Sequence, residues 1–274
     1  LFRRAGCAHL LALSGMHLGV LSLGILIVLT PVTGRRSALV LSLVCSIGYL
    51  VLVGARPSML RAVLMYGLCV TGLLIAGVRT SPLFLLCSTF LLHVVLQPQD
   101  AGTIGFQLSY LALAGICGWT PAISRSLPAL LPPGLREGLA ATIAAQVCTA
   151  SLVVKHFGVL YPVGFIAPLL LTPLITLWMW CGLGYLAWST LSQVIAGPVL
   201  VMIDRLFRGG FEQAALFTSA AVRWLSRFRP LEVPADNWWQ VAFASICVLT
   251  LFSLNQYAGR YGRRMKLHLS KIDR

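Results

Sequence analysis

Residues 10–30 read LLALSGMHLGVLSLGILIVLT, with no Asp, Glu, Lys or Arg among them. The hydrocarbon core of a bilayer is spanned by about 20 apolar residues in a helix, so this stretch reads as a membrane span. The same character extends outward over the chain. Its 274 residues are 58% hydrophobic and 10% charged, with mean hydropathy +0.87. Soluble domains carry about 25% charged residues. Too few charges remain to cover a water-facing surface, which excludes a soluble globular enzyme, a disordered chain and a secreted disulfide scaffold. The fold class that remains is all-α, a polytopic transmembrane helical bundle.

Apolar runs and helix breakers place about nine spans, at roughly 8–32, 37–54, 58–77, 82–97, 103–119, 138–156, 162–188, 190–206 and 238–258. The seventh holds Pro162, Pro168 and Pro173 and is expected to be kinked or unwound, with protein or a water-filled cavity meeting its freed backbone groups. The stretch Leu127 to Gly134 is a loop between spans five and six. Segment 211–229 differs: Phe211, Ala214, Ala215, Ala221, Val222, Leu225 and Phe228 recur at helical spacing, opposite Glu212, Gln213, Ser219, Arg223, Ser226 and Arg227. It reads as a separate amphipathic helix lying in the membrane interface. The whole of 1–274 is a single transmembrane domain, with a basic tail at 260–274.

Charge is lopsided, with 21 Lys and Arg against 7 Asp and Glu, net +14. Lys and Arg hold loops on the cytoplasmic side. With nine spans, Arg35-Arg36, Arg79, Arg125 with Arg136, and the tail from Arg260 to Lys271 share one side, while Asp100 and the segment Glu232 to Asp236 take the other. The N-terminus is therefore outside and the C-terminus cytoplasmic. A reporter fused after Arg274 that works only outside the cytoplasm is expected to stay silent; an active reporter would refute this orientation.

Three places can carry chemistry. In the first span His9, Gly6, His17 and Ser14 form a stripe about 140° wide at 100° per residue, while Ala8, Leu11 and Leu18 face away. Polar groups in hydrocarbon turn toward the bundle interior or a water path, and Gly15 and Gly19 make a small-xxx-small pair for close helix approach. The bland reading is an interhelical hydrogen-bond cluster. In GARPSMLRA (54–62) Pro57 suits a first helical turn, and Arg61 lies one turn inside the span. A guanidinium there pairs, snorkels or binds an anion. Asp204 is the acidic residue within an apolar span that offers itself as a structural partner. In GFQLSY (105–110) Gln107 and Ser109 can bond across helices, and Phe106 and Tyr110 offer ring faces for bases; helix packing is the alternative. Lys155-His156, at the end of span six, reads as interfacial.

Nothing in the sequence points to a metal or cofactor. No HExxH, CxxC, HxHxDH or Walker A pattern occurs, and the eight cysteines, at 7, 45, 69, 87, 117, 148, 181 and 247, read as small packing residues in helices. The chain begins at Leu1 without Met, and is expected to be a segment of a longer protein.

These pieces together resemble the membrane core of the ComEC-type competence protein family. The resemblance rests on AGCAHLLALSGMHLGVL (5–21), GARPSMLRAVLM (54–65), FQLSYLALAGI (106–116) and KHFGVLYPVGFIAPLLLTPLI (155–175). Family members often carry Asn where this chain has Pro168. The resemblance implies a bacterial inner-membrane, multi-pass channel that passes single-stranded DNA into the cytoplasm during transformation, itself not an enzyme. It also implies membrane lipid as surroundings, a DNA receptor and a cytoplasmic ATPase or helicase as partners, and a possible homodimer. An oligonucleotide-binding-like domain before this core and a metallo-β-lactamase-like domain after it, common in the family, are not in this chain. A DNA path would run along His9, Ser14, His17, Arg61, Gln107, Ser109 and Tyr110, sparse enough that no phosphate is held fast. Two rival classes are a small-solute secondary transporter with broken helices and an intramembrane serine protease. The second is disfavoured because Ser14 and His17 share one turn and no oxyanion donors can be named.

Overall fold

In a computed structural model, Gly34 and Gly54, with positive φ of 80° and 92°, punctuate the first three helices, each taking a backbone conformation that a side chain would resist. Helix α1 spans Gly15–Thr33, α2 Arg35–Val53 and α3 Pro57–Ile75. Then follow α4 at Pro82–Leu96, α5 at Ile104–Ser126 and α6 at Pro133–Phe157. Ala167–Ser192 is α7 and Pro198–Leu225 is α8; α9 is the last helix, within Ala235–Leu254. The structure describes residues 15–75, 77, 80–192 and 198–254. Apart from one two-stranded ladder it is all-α.

Among the described residues six helices are long and apolar enough to span a membrane: α1, α2, α3, α6, α7 and α9. The chain is thus a multi-pass one, and its described residues hold six such helices against the nine spans that the apolar runs suggest. Three elements account for the difference. At 15 residues α4 is short. Gln107, Ser109, Tyr110 and Thr120 dilute the apolarity of α5. The third is α8, one continuous helix that absorbs the second half of the expected span at 190–206 and most of the separate helix expected at 211–229. The helix runs on through Gly209-Gly210, since a helical Gly costs only about 1 kcal/mol relative to Ala and the element packs along α7.

The chain divides into two units, 1–80 with 166–229 and 81–165 with 230–274. In the first unit α1, α2 and α3 are tied by hydroxyls. Ser22 and Ser46 approach to 3.0 Å, Ser42 meets the Tyr66 hydroxyl at 2.8 Å, and Ser42 donates to the Ser22 carbonyl at 3.3 Å. Such bonds between buried side chains hold helices together where lipid offers no hydrophobic drive. Gly24 lets α1 lie against α7: a Cβ there would stand 2.7 Å from the Trp180 ring. Phe211 of α8 stacks on Trp178 at 5.8 Å over Gly182 of α7.

The second unit is centred on the pair α5 and α6. Ile123, Ala140 and Ala144 are fully buried between them, with Phe252 of α9 packed alongside. Gly158, at φ 65°, ends α6 and leads into β1 (Val159–Leu160), which pairs antiparallel with β2 (Leu231–Glu232). The segment 162–165 is a 3-10 turn, and Gln146 of α6 donates to its Gly164 carbonyl at 3.1 Å. The unwinding expected of this proline-rich stretch therefore falls before α7. Pro168 does not kink that helix. It is the second residue of α7, where its missing N–H costs nothing. The helix continues through Pro173.

The outward faces are apolar. Val32 is 81% exposed, Leu52 86% and Val95 78%. In water such surfaces would associate; in a bilayer they are the lipid-facing side.

Candidate functional site

The GARPSMLRA block folds as its residues dictate. Gly54 turns the chain, Pro57 opens α3, and the Arg56 carbonyl accepts from the Met59 and Leu60 amides at 2.9 Å. Arg61 then lies one turn into the helix. Gly15 is the small residue that admits it: a Cβ on Gly15 would stand 3.1 Å from Ala62 Cβ and 3.4 Å from Arg61 Nη2. The first and second sequence blocks thus meet at one spot, a guanidinium laid against a side-chain-free patch of α1. Half-buried His17 is on the same end of α1. Asp204, the partner the sequence offered to Arg61, lies 4.0 Å from Arg208, one turn on in its own helix, and Arg208 also donates to the Tyr185 hydroxyl at 3.3 Å.

Close approach at Gly15 corrects two expectations. Leu18, expected to face away from the bundle, is 2% exposed and packs with Met59 and Val63 of α3, because the next turn of α1 follows Gly15 onto the same helix. Gly19, expected to admit a second helix together with Gly15, has nothing within 4 Å of a Cβ. The close-packed glycine of α1 besides Gly15 is Gly24.

The second constellation lies where α4 turns into α5. Thr103 caps α5 through the Phe106 amide at 3.3 Å and also donates to the Asp100 carbonyl at 2.7 Å. Gln107 reaches back to the Ala101 carbonyl at 3.1 Å. Inside this corner His93 of α4 is fully buried. Its Nε2 lies 3.1 Å from Asp100 Oδ2 and its Nδ1 3.1 Å from the Tyr110 hydroxyl. That hydroxyl donates to the Thr89 carbonyl at 3.3 Å. Phe106 stands edge-on to the imidazole at 4.9 Å and Phe90 edge-on to Tyr110 at 5.2 Å.

This corner changes the reading of the FQLSY block. Phe106 and Tyr110, expected to offer ring faces, are 4% and 7% exposed and spend those faces on each other, His93 and Phe90. Gln107 serves the turn. Ser109 is half-buried on α5. Phe106, Gln107 and Tyr110, with Leu86, Cys87 and Phe90, also line an apolar groove of about 650 Å³. At the far end of α6, Lys155 Nζ sits 5.0 Å over the Trp238 ring, in keeping with an interfacial Lys.

Of the residues singled out from sequence, His9 and Ser14 lie outside the described residues. Arg61 and Gly15 come together in the first unit. Gln107, Ser109 and Tyr110 belong to the second. His93 and Asp100 were not singled out, although an ionisable pair seven residues apart, flanking the end of an apolar run, was the available signal.

A family model described as "Competence protein" matches residues 1–257. The chain belongs to the Competence protein family. A similar protein is ComE operon protein 3 of Bacillus subtilis (strain 168), 27% identical over 158 residues, which is 57% of this chain and 20% of that protein. This competence-family chain thus matches one fifth of the relative's length. No solved structure matches it significantly.

Proposed function

We propose that this chain is the membrane core of a channel in the bacterial cytoplasmic membrane that carries one strand of incoming DNA inward during transformation. The observation that carries the reading is the family match over residues 1–257 to a chain whose described residues hold six helices of spanning length. The similar Bacillus protein belongs by name to a ComE operon. The net charge of +14 suits a polyanionic cargo and an anionic membrane face. Cationic side chains along the spans are few, which suits a strand that must move, because a phosphate held at every step would stall. The role proposed is transport. A DNA receptor and an ATPase or helicase would deliver and draw in the strand.

The test is to catch the strand inside. Cells receive DNA with photoreactive bases along its length and a bulky group at one end that halts it midway. Illumination is expected to crosslink the strand to this chain, and excess unlabelled DNA to abolish the crosslink. Crosslinks that form with other membrane proteins of the uptake machinery but never with this chain would overturn the proposal.

A further inference from the structure

Helix α8 carries charge beside a helix that has none. Its partner α7 contains no Asp, Glu, Lys or Arg, and its segment Ala167–Thr190 is long and apolar enough to cross a membrane. The two helices lie antiparallel. Arg208 Nη2 donates to the Tyr185 hydroxyl at 3.3 Å, and one turn further along α8 Phe211 stacks on Trp178 at 5.8 Å. Ala167, Leu171 and Ile175 are buried at every fourth residue of α7, and Ala214, Thr218 and Val222 at every fourth residue of α8, in step with that register. With 28 residues α8 is about 42 Å long at 1.5 Å per residue. It therefore runs beside α7 through the depth of hydrocarbon that α7 crosses. Around its axis, at 100° per residue, α8 has three faces. One packs on α7. Leu206, Phe217 and Trp224, which are 76%, 66% and 54% exposed, form an outward apolar face. Between these, Arg205, Arg208, Glu212, Ser219 and Arg223 fall within about 60°, and the four charged side chains are exposed.

We propose that this stripe of α8 lines the water-filled path along which the phosphates of the strand travel, a placement that rests on the channel reading above. A helix resting on a membrane surface turns one apolar face to lipid and one polar face to water. Helix α8 is instead held by α7 at membrane depth, where charged side chains turn away from hydrocarbon. The Leu206, Phe217 and Trp224 face suits hydrocarbon, and the stripe needs water. Its charges suit a polyanion in motion. Arg205 and Arg208 stand at one end, and Arg223 lies about 22 Å beyond Arg208 along the axis. A guanidinium meets a phosphate with two parallel hydrogen bonds. Between these cationic stations come Glu212, which repels phosphate, and Ser219, which is neutral. The strand is thus attracted at two places and released between them, in line with the need of any conducting path to bind its cargo strongly enough to admit it and weakly enough to let it leave.

The test uses Ser219→Cys in the protein freed of its eight native cysteines, in cells that take up DNA carrying photoreactive bases and a bulky end group that halts it midway. Without DNA, Ser219→Cys is expected to react with a small polar thiol reagent and not with a bulky one, while Phe217→Cys, on the outward apolar face, reacts with neither. With the halted strand in place, labelling of Ser219→Cys is expected to be lost and the strand to crosslink to α8. Glu212→Cys replaces Ser219→Cys if the latter does not accumulate. With the native cysteines retained, Arg223→Gln is expected to cut DNA uptake about tenfold, the scale of one charge-assisted contact. Access of the bulky reagent to Ser219→Cys would set α8 on the membrane surface and overturn the proposal, as would equal labelling of Phe217→Cys or full uptake by a well-expressed Arg223→Gln protein. A halted strand that crosslinks to other helices of this chain, while Ser219→Cys labels at its full rate, would overturn the proposal and leave the channel reading standing. A strand that crosslinks only to other membrane proteins would overturn both.

Discussion

Gly115→Ala is expected to lower the melting temperature of the purified protein, and Gly115→Val to prevent its accumulation in the membrane. A Cβ at Gly115 would stand 2.7 Å from the Ala144 carbonyl oxygen, 2.8 Å from Cys148 Sγ and 3.0 Å from Cys148 Cβ. The carbonyl is backbone of α6 and cannot swing aside, so the helices must part along their most extensive contact. Overpacking of this kind costs about 1–3 kcal/mol for a methyl-sized intrusion and more for a branched side chain. Removing the sulfur with Cys148→Ala should recover part of the Gly115→Ala loss but not all, since the carbonyl remains. Gly118, one turn on, has nothing within 4 Å of a Cβ. There the substitution to Ala is expected to hold the melting temperature or raise it, since helix preference favours Ala over Gly by up to about 1 kcal/mol. If Gly115→Ala melted like Gly118→Ala, the close packing of α5 on α6 would be refuted.

How much of this was legible varies from helix to helix. Span limits read from breakers fall within a few residues for α2, α3 and α4, because Gly34, Gly54 and Pro82 are local signals acting on local geometry. The partner of Gly115 was half legible. Ala140, Ala144 and Cys148 recur every four residues on α6, which announces a close-packed face, but nothing in the chain says which helix meets it. Periodicity also misplaced Leu18, since a stripe argument allows one inner face, whereas α1 is covered both by α3, at Leu18, and by α7, at Gly24. The least legible feature was the His93 corner. His93 sits in the run FLLHVVL (90–96) as a lone polar residue, and only the fold brings Asp100 and Tyr110 to its two ring nitrogens.

Arg61→Gln is expected to leave protein yield near normal and to cut uptake of labelled DNA by about 10–100-fold, the equivalent of losing one charge-assisted contact worth about 1.5–3 kcal/mol. The expectation rests on the proposed channel role and on where the charge sits. An Arg inside hydrocarbon costs about 2.5–3.5 kcal/mol on insertion scales, so such a residue marks a path or a pairing. Pairing with Asp204 would make both residues structural, and each single neutralisation would then lower yield. Asp204 is instead 4.0 Å from Arg208, in a pair whose members are 34% and 60% exposed, and exposed pairs contribute about 0–1 kcal/mol. Asp204→Asn is therefore expected to change neither yield nor uptake. Arg61→Lys should retain part of the activity, since an ammonium still attracts phosphate but lacks the planar fork. Gly15→Ala probes the same spot from the opposite helix. Its methyl would stand 3.4 Å from Arg61 Nη2 and 3.1 Å from Ala62, moving the guanidinium without altering its charge, so uptake should fall to a level between Arg61→Lys and wild type. Full uptake by a well-expressed Arg61→Gln protein would remove Arg61 from the path. Loss of yield in both Arg61→Gln and Asp204→Asn, with recovery when the two residues are exchanged, would make the charge a structural tie.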